Sequence, residues 1–191
     1  MSLADLPEVH PRSRAAWRRW LERHHLTARG CWFVTWRRET GKPRVDYAEA
    51  VEELLCFGWV DSTARRLDDA RTALLCTPRK PRSGWARSNR ERVARLTAQG
   101  LMAARGLEVV AEAKRTGQWT ALDALESLEV PPDLAARLRA LPPARKRFDA
   151  FPPSARKRLL AWIRTAKRPE TRARRVEETA LAAQQGLRAN G

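Results

Sequence analysis

The sequence predicts an α+β protein: a small antiparallel or mixed sheet of about three strands, packed by helices, followed by an all-helical C-terminal region. Three observations carry this. Cys31–Arg38 (CWFVTWRR) is rich in aromatic and β-branched residues, the composition of a half-buried pleated strand. Two further strand-like runs, Trp59–Leu67 and Arg71–Pro78, flank Asp68-Asp69-Ala70 and read as a hairpin. From Leu101 onward the apolar residues follow only the helical period. The expected boundary lies near residue 125, with an α/β domain over 1–125 and a basic helical region over 126–191.

Residues 1–12 read as an irregular lead-in broken by Pro7 and Pro11. Ser13 can cap a helix to about His25, with Trp17, Trp20, Leu21 and His24 on its buried face and His25 exposed. Gly30 ends that unit, the first strand follows, and Glu39–Arg44 is its turn. A second helix spans Tyr47–Phe57. Tyr47, Val51, Leu54 and Leu55 are expected inward, and Glu49, Glu52 and Glu53 outward. Gly58 suits its C-terminal cap, because glycine alone enters the left-handed conformation cheaply. A third helix, from Ser83 or Ser88 to Gln99, carries capping-box spacing at Ser88 and Glu91. Ala104–Thr116 is amphipathic through Leu107, Val110 and Ala111. Pro132, Pro142 and Pro152 then open helical segments, since proline at a first helical position costs no hydrogen bond. The last helix runs from Pro169 to Gln185 with Ala173, Val176, Ala180 and Ala183 inward. The tail Leu187–Gly191 is expected to fray.

Composition narrows the class. No apolar run approaches the ~18 residues of a membrane span, and the N-terminus lacks a hydrophobic signal core, so a cytoplasmic location is expected. The cysteines, Cys31, Cys56 and Cys76, lie in apolar surroundings and read as reduced core residues. The formal charge of +16 is clustered: 14 basic against 2 acidic residues over Arg137–Arg175, and 10 against 3 over Ala64–Arg95. A polyanion or an anionic surface is therefore a natural partner class, although arginine outnumbers lysine 32 to 6, a bias that base composition can also produce.

Two constellations stand out. Asp61 and Ser62 lie on a predicted strand near Arg65, with Arg79 and Lys80 following the hairpin. A carboxylate in that basic setting stays ionised and orients the arginines. With Trp59, Trp85 and Asn89 these residues can wall a pocket for a phosphate or carboxylate, which arginine grips bidentately. The same set can instead form an internal salt-bridge cluster. In the second constellation, Arg168, Arg172 and Arg175 share one helical face, with Arg164 one turn earlier. They suit either phosphate contacts to nucleic acid or a clasp onto carboxylates such as Glu49, Glu52, Glu53, Glu170, Glu177 and Glu178. No catalytic set is assigned: there is no GxSxG elbow, and His10, His24 and His25 all lie near the N-terminus. No phosphate-loop or dinucleotide fingerprint calls for a cofactor, and no Cys or His pair has metal-ligand spacing.

Several of these motifs resemble the YdeI/OmpD-associated (OmdA-type) bacteriocin-protection family. In the front half they are Trp32–Trp36, Thr40–Pro43, Ala48–Ala50, Cys56–Ser62, Thr77–Ser83, Trp85, Asn89 and Arg92-Val93. In the rear half they are Phe151–Ser154, Trp162-Ile163 and Ala166–Arg175. The resemblance implies a cytoplasmic bacterial protein with an α/β front and a helical rear. It also implies an association with envelope stress and resistance to bacteriocins or cationic peptides, through a protein partner or an anionic ligand. It supplies no catalytic mechanism. The family name suggests a link to an outer-membrane protein, but a chain without an export signal is not expected to touch a porin directly.

Overall fold

The computed structural model describes residues 5–189, so the ends of the lead-in and of the tail lie outside it. The chain divides into two compact units, Met1–Ala121 and Leu122–Gly191.

In the front unit the elements run β1 (Glu8–Val9), α1 (Arg14–His24), β2 (Cys31–Trp36), a 3₁₀ turn (Arg38–Thr40), α2 (Tyr47–Cys56), β3 (Trp59–Arg66), β4 (Arg71–Pro78), α3 (Arg87–Ala98) and α4 (Ala104–Arg115). The sheet order is β1-β2-β4-β3, with β1 parallel to β2 and the other pairs antiparallel. The expected three strands are present, and a fourth lies in what reads from sequence as irregular lead-in. Two residues between Pro7 and Pro11 show no period, and β1 exists only because β2 offers it a free edge. Cys31, Phe33, Leu74 and Cys76 face the helices, whereas Trp32, Val34, Ala73 and Leu75 form a second cluster on the opposite face with Leu6 and Leu67. Burial of β2 on both faces explains why its sequence is continuously apolar rather than alternating.

Ser13 caps α1 as expected, accepting from the Ala16 amide at 3.2 Å. Trp17 and Leu21 are fully buried, but the two histidines exchange the environments expected of them. His24 is exposed, and His25 is half-buried with a ring nitrogen 2.8 Å from the Leu21 carbonyl. Helix α2 turns its acidic residues inward. Glu53 is 2 % exposed and meets Arg14 at 2.6 Å and Arg18 at 2.9 Å, while Glu52 meets Arg14 at 2.9 Å and Arg95 at 2.5 Å. Three arginines from α1 and α3 thus neutralise a helix face that reads as solvent-exposed when the partners are unknown. Tyr47, expected inward, is 59 % exposed. Asp46 and Glu49 form a capping box with α2. The one expected at Ser88 does not form, because α3 starts from Ala86.

Helix α4 buries Gly106, Val110 and Ala113 rather than Leu107 and Ala111. It approaches the end of α2 so closely that a Cβ on Gly106 would lie 2.1 Å from the Cys56 carbonyl oxygen. Glycine, ordinarily unfavourable inside a helix, is what permits this contact. Gly58 adopts φ +72° just after α2, the left-handed exit expected there.

The rear unit holds α5 (Asp123–Glu126), α6 (Pro132–Ala140), α7 (Ala144–Asp149), α8 (Pro153–Arg164) and α9 (Pro169–Gln184), with no strand among its described residues. Pro132 and Pro169 occupy first helical positions as expected, whereas α7 starts at Ala144 rather than Pro142, and α8 starts at Pro153 with Pro152 as its N-cap. Leu134, Leu138, Phe148, Leu159, Ile163, Val176, Ala180 and Ala183 form its core. Ala173 is exposed instead, and Ala189 in the tail packs against the same core.

Candidate functional site

Arg79 follows the last residue of β4, and its amide donates to the Gly58 carbonyl at 3.0 Å, fixing the chain as it leaves the sheet. Its side chain turns back under the loop. The guanidinium lies 3.9 Å from the Trp85 ring centroid, and Nη1 donates to the Gly84 carbonyl at 3.1 Å. Arg79 is only 8 % exposed, yet its guanidinium bonds to a backbone carbonyl rather than to a carboxylate, and its Nε has no partner. Trp85, packed against Trp119 with centroids 5.0 Å apart, is 1 % exposed and its Nε1 is also unpartnered. Burial pulls the Arg79 pKa down from 12.5 to about 10, and the field of Asp61 only partly offsets this. A buried cation held by a ring and one carbonyl is an arrangement seldom kept for stability alone.

A cleft of about 80 Å³ opens beside it, with Arg79, Lys80 and Trp85 on one wall and Arg105, Glu108 and Glu112 of α4 on the other. Glu108 is taken by Arg105 at 3.0 Å and Glu112 by Arg115 at 2.8 Å. The cleft therefore presents guanidinium and ammonium groups whose neighbouring acids are already paired.

Of the predicted set only Arg79, Lys80 and Trp85 line this cleft; Trp59, Asp61, Ser62, Arg65 and Asn89 are not among its lining residues. Asp61 accepts from the Tyr47 hydroxyl at 2.8 Å. Partial burial of the hydroxyl end, followed by the Asp61 interaction, pushes the Tyr47 pKa up to about 12. Arg92 acts on the same hydroxyl through space and donates to Asn89 Oδ1 at 3.2 Å. Asn89 thus belongs with Arg92. Ser62 is exposed and donates weakly to the Leu75 carbonyl at 3.5 Å. Trp59 is a core residue, donating from Nε1 to the His25 carbonyl at 3.1 Å.

Arg65 is on the far face of the sheet. A register shift between Asp61 and Ala64 inserts an extra residue, so Asp61 lies opposite Cys76 but Arg65 lies opposite Ala73. Simple alternation puts residues 61 and 65 on one face; the bulge reverses this. Arg65 instead covers Trp32 at 4.0 Å and pairs with Glu8 at 3.3 Å. Arg105 is a cleft residue that sequence reasoning does not select, and Tyr47 and Arg92 are the unselected partners of Asp61 and Asn89 outside that lining. The one signal available for Tyr47 was its place beside the Asp46 cap, since a first-turn residue often lies off the core stripe.

Cys31, Cys56 and Cys76 are all fully buried. Burial pushes the Cys56 thiol up to about 11, and the neighbouring Cys31, then burial, push Cys76 higher still. Among the described residues, no group of three or more His, Cys, Asp or Glu could hold a metal ion.

In the rear unit the arginine row is partly engaged. Arg172 forks onto Asp133 at 2.7 and 3.1 Å. Arg175 donates to the Trp162 carbonyl and to Thr165 Oγ1, and its guanidinium lies over the Trp162 ring at 5.1 Å. Glu177 and Glu178 pair with Arg137 and Arg174. Arg164 and Arg168 are exposed.

Residues 9–109 match the sequence model of a domain of unknown function, DUF8412. Residues 127–186 match that of the OmdA domain, described as bacteriocin-protection, YdeI or OmpD-associated. The front-half motifs from Trp32 to Val93 fall in the first match, and those from Phe151 to Arg175 in the second. No curated protein and no solved structure matches the chain. No helix among the described residues is long and apolar enough to cross a membrane.

Proposed function

We propose that this chain, which belongs to the DUF8412 family and carries an OmdA segment behind that domain, is a cytoplasmic, stress-linked binding protein whose front unit holds a small oxyanion beside Arg79. The observation that carries this reading is the buried Arg79 guanidinium, whose Nε has no partner. An oxyanion in the cleft that Arg79 lines would neutralise the buried charge and gain a charge-assisted bond of the strong class from the guanidinium. Lys80 lines the same cleft and adds to its positive field, while Arg105 on the opposite wall offsets Glu108. A volume of about 80 Å³ suits a phosphate, a sulfate or a carboxylate terminus and is too small for a nucleotide. The description of the OmdA family adds the setting, protection against bacteriocins.

Favouring a nucleic-acid role for the rear unit would require its arginine row to be available. Two of the four, Arg172 and Arg175, are already held by side chains and a carbonyl of their own unit, so the front cleft has the stronger support.

The test is a thermal titration of the full chain with inorganic phosphate, sulfate and acetate. At least one should raise the melting temperature in a saturable way. Arg79→Lys, which keeps the charge but loses the planar fork, should weaken that response. If no oxyanion stabilises the protein, or if Arg79→Lys responds like the parent, the reading fails.

A further inference from the structure

A second cavity in the front unit, remote in character from the Arg79 cleft, is built around Trp36 at the end of β2. It measures about 440 Å³ and is lined by His10, Arg12, Trp36, Lys42 and Pro43, within the range of small-molecule sites. We propose that this cup binds a phosphorylated heteroaromatic ring: a free nucleoside monophosphate, or one nucleotide of a single strand.

Trp36 supplies the floor. It is only half-buried and belongs to neither sheet core, and its ring is met by flexible cations, Lys42 and, at 5.9 Å, Arg71, rather than by core side chains. The His10 ring stands 4.9 Å away at 59° and forms a side wall. Burial, then Arg71 and Arg12, hold His10 toward its neutral form, so it contributes a ring more than a charge. The Lys42 ammonium rests 4.0 Å over the Trp36 ring. This position shows that the ring face attracts a cation and is reachable from solvent. Lys42 is exposed on the loop after Gly41, so its flexible stem can leave the ring to a base and follow the phosphate.

Charge supports the same ligand. No carboxylate lines the cup, and among the described residues neither Lys42 nor Arg12 is paired with one. The nearby Asp68 is spent on Arg71, at 2.6 Å, and on the amides of Ala70 and Arg71. An aromatic floor with unpaired cations at its rim is the arrangement by which proteins stack a base and neutralise its phosphate. An anion without a ring would leave Trp36 unused, and an apolar ligand would leave Arg12 and Lys42 unused.

The experiment follows the Trp36 indole N–H by two-dimensional NMR, and affinity by calorimetry, in the full chain at low salt. The probes are adenosine monophosphate, adenosine, inorganic phosphate and a short oligouridine. The nucleotide should shift the Trp36 resonance and bind tighter than adenosine or phosphate alone. Trp36→Ala should weaken it roughly tenfold or more, the usual weight of one stacked base. Trp36→Phe, which keeps a π-face and guards against a folding artefact, should retain most of the affinity. Tighter binding of the oligomer than of the mononucleotide assigns the ligand to single-stranded nucleic acid, and equal binding assigns it to free nucleotides. The proposal is overturned if no nucleotide or strand moves the Trp36 resonance, or if Trp36→Ala binds as well as the parent.

Discussion

If Arg79 is kept for a ligand, replacing it with methionine should cost the unliganded protein almost nothing. The depression of its pKa from 12.5 to about 10 corresponds to about 3 kcal/mol of disfavoured charge, which Arg79→Met removes. Against this stand the stacking on Trp85 at 3.9 Å, about 2 kcal/mol for a desolvated pair, and the bond to Gly84, about 1 kcal/mol. The terms nearly cancel, and the methionine fills most of the same volume. Urea unfolding followed by tryptophan fluorescence suits the measurement, because seven of the eight tryptophans lie in the front unit. The expected change is within about 1 kcal/mol, a midpoint shift of about 0.5 M at ordinary slopes, together with loss of oxyanion-induced stabilisation. A loss of about 3 kcal/mol or more would show that Arg79 is a structural group and would refute the reasoning.

Glu53→Gln should behave oppositely, losing about 3 kcal/mol by the same assay, because it leaves Arg14 and Arg18 beside a neutral buried group. That is the low end for a broken buried pair, as both arginines are about one-third exposed. Acid should act on the same cluster through Glu52. Burial raises its pKa, but Arg95 and Arg14 outweigh this and hold it below 4.5. Its stabilising contribution is therefore full above pH 4.5 and falls as pH drops through the depressed value, which acid unfolding of the parent and of Arg95→Ala would reveal as a weaker acid sensitivity in the variant. Gly106→Ala should destabilise by about 1–3 kcal/mol through collision with Cys56, reversing the ~1 kcal/mol gain that this change ordinarily brings inside a helix; a more stable variant would contradict the close contact. The chain has a single tyrosine, so ultraviolet titration reads Tyr47 directly. Its midpoint should lie near 12 and move toward 10 in Asp61→Asn, and a parent midpoint of 10 would remove the Tyr47–Asp61 bond.

Local chemistry was enough to locate most elements. The aromatic and β-branched run at Cys31–Arg38, the Asp68-Asp69-Ala70 hairpin, the Ser13 cap and the prolines at helix starts each act within a few residues. Their structural consequences are therefore written in the nearby sequence. The α+β class and the helical rear follow from the same short-range preferences, since strand and helix periods differ whatever they pack against.

What tertiary structure decided is which face each element shows and which charges meet. Glu52 and Glu53 are buried because α1 and α3 bring arginines to them, a fact absent from the period of α2. One bulged residue moved Arg65 to the opposite side of the sheet from Asp61, and a pairing register is a property of two strands, not one. Arg79 could be read as basic from sequence, but its burial on Trp85 without a carboxylate required the loop to fold back over it. Trp36 reads simply as a strand residue until the lead-in and the loop at Lys42 close a cup around it. Residue type and local period set the elements and the pool of charged groups; long-range contacts, through desolvation and proximity, selected the few whose chemistry is left unsatisfied.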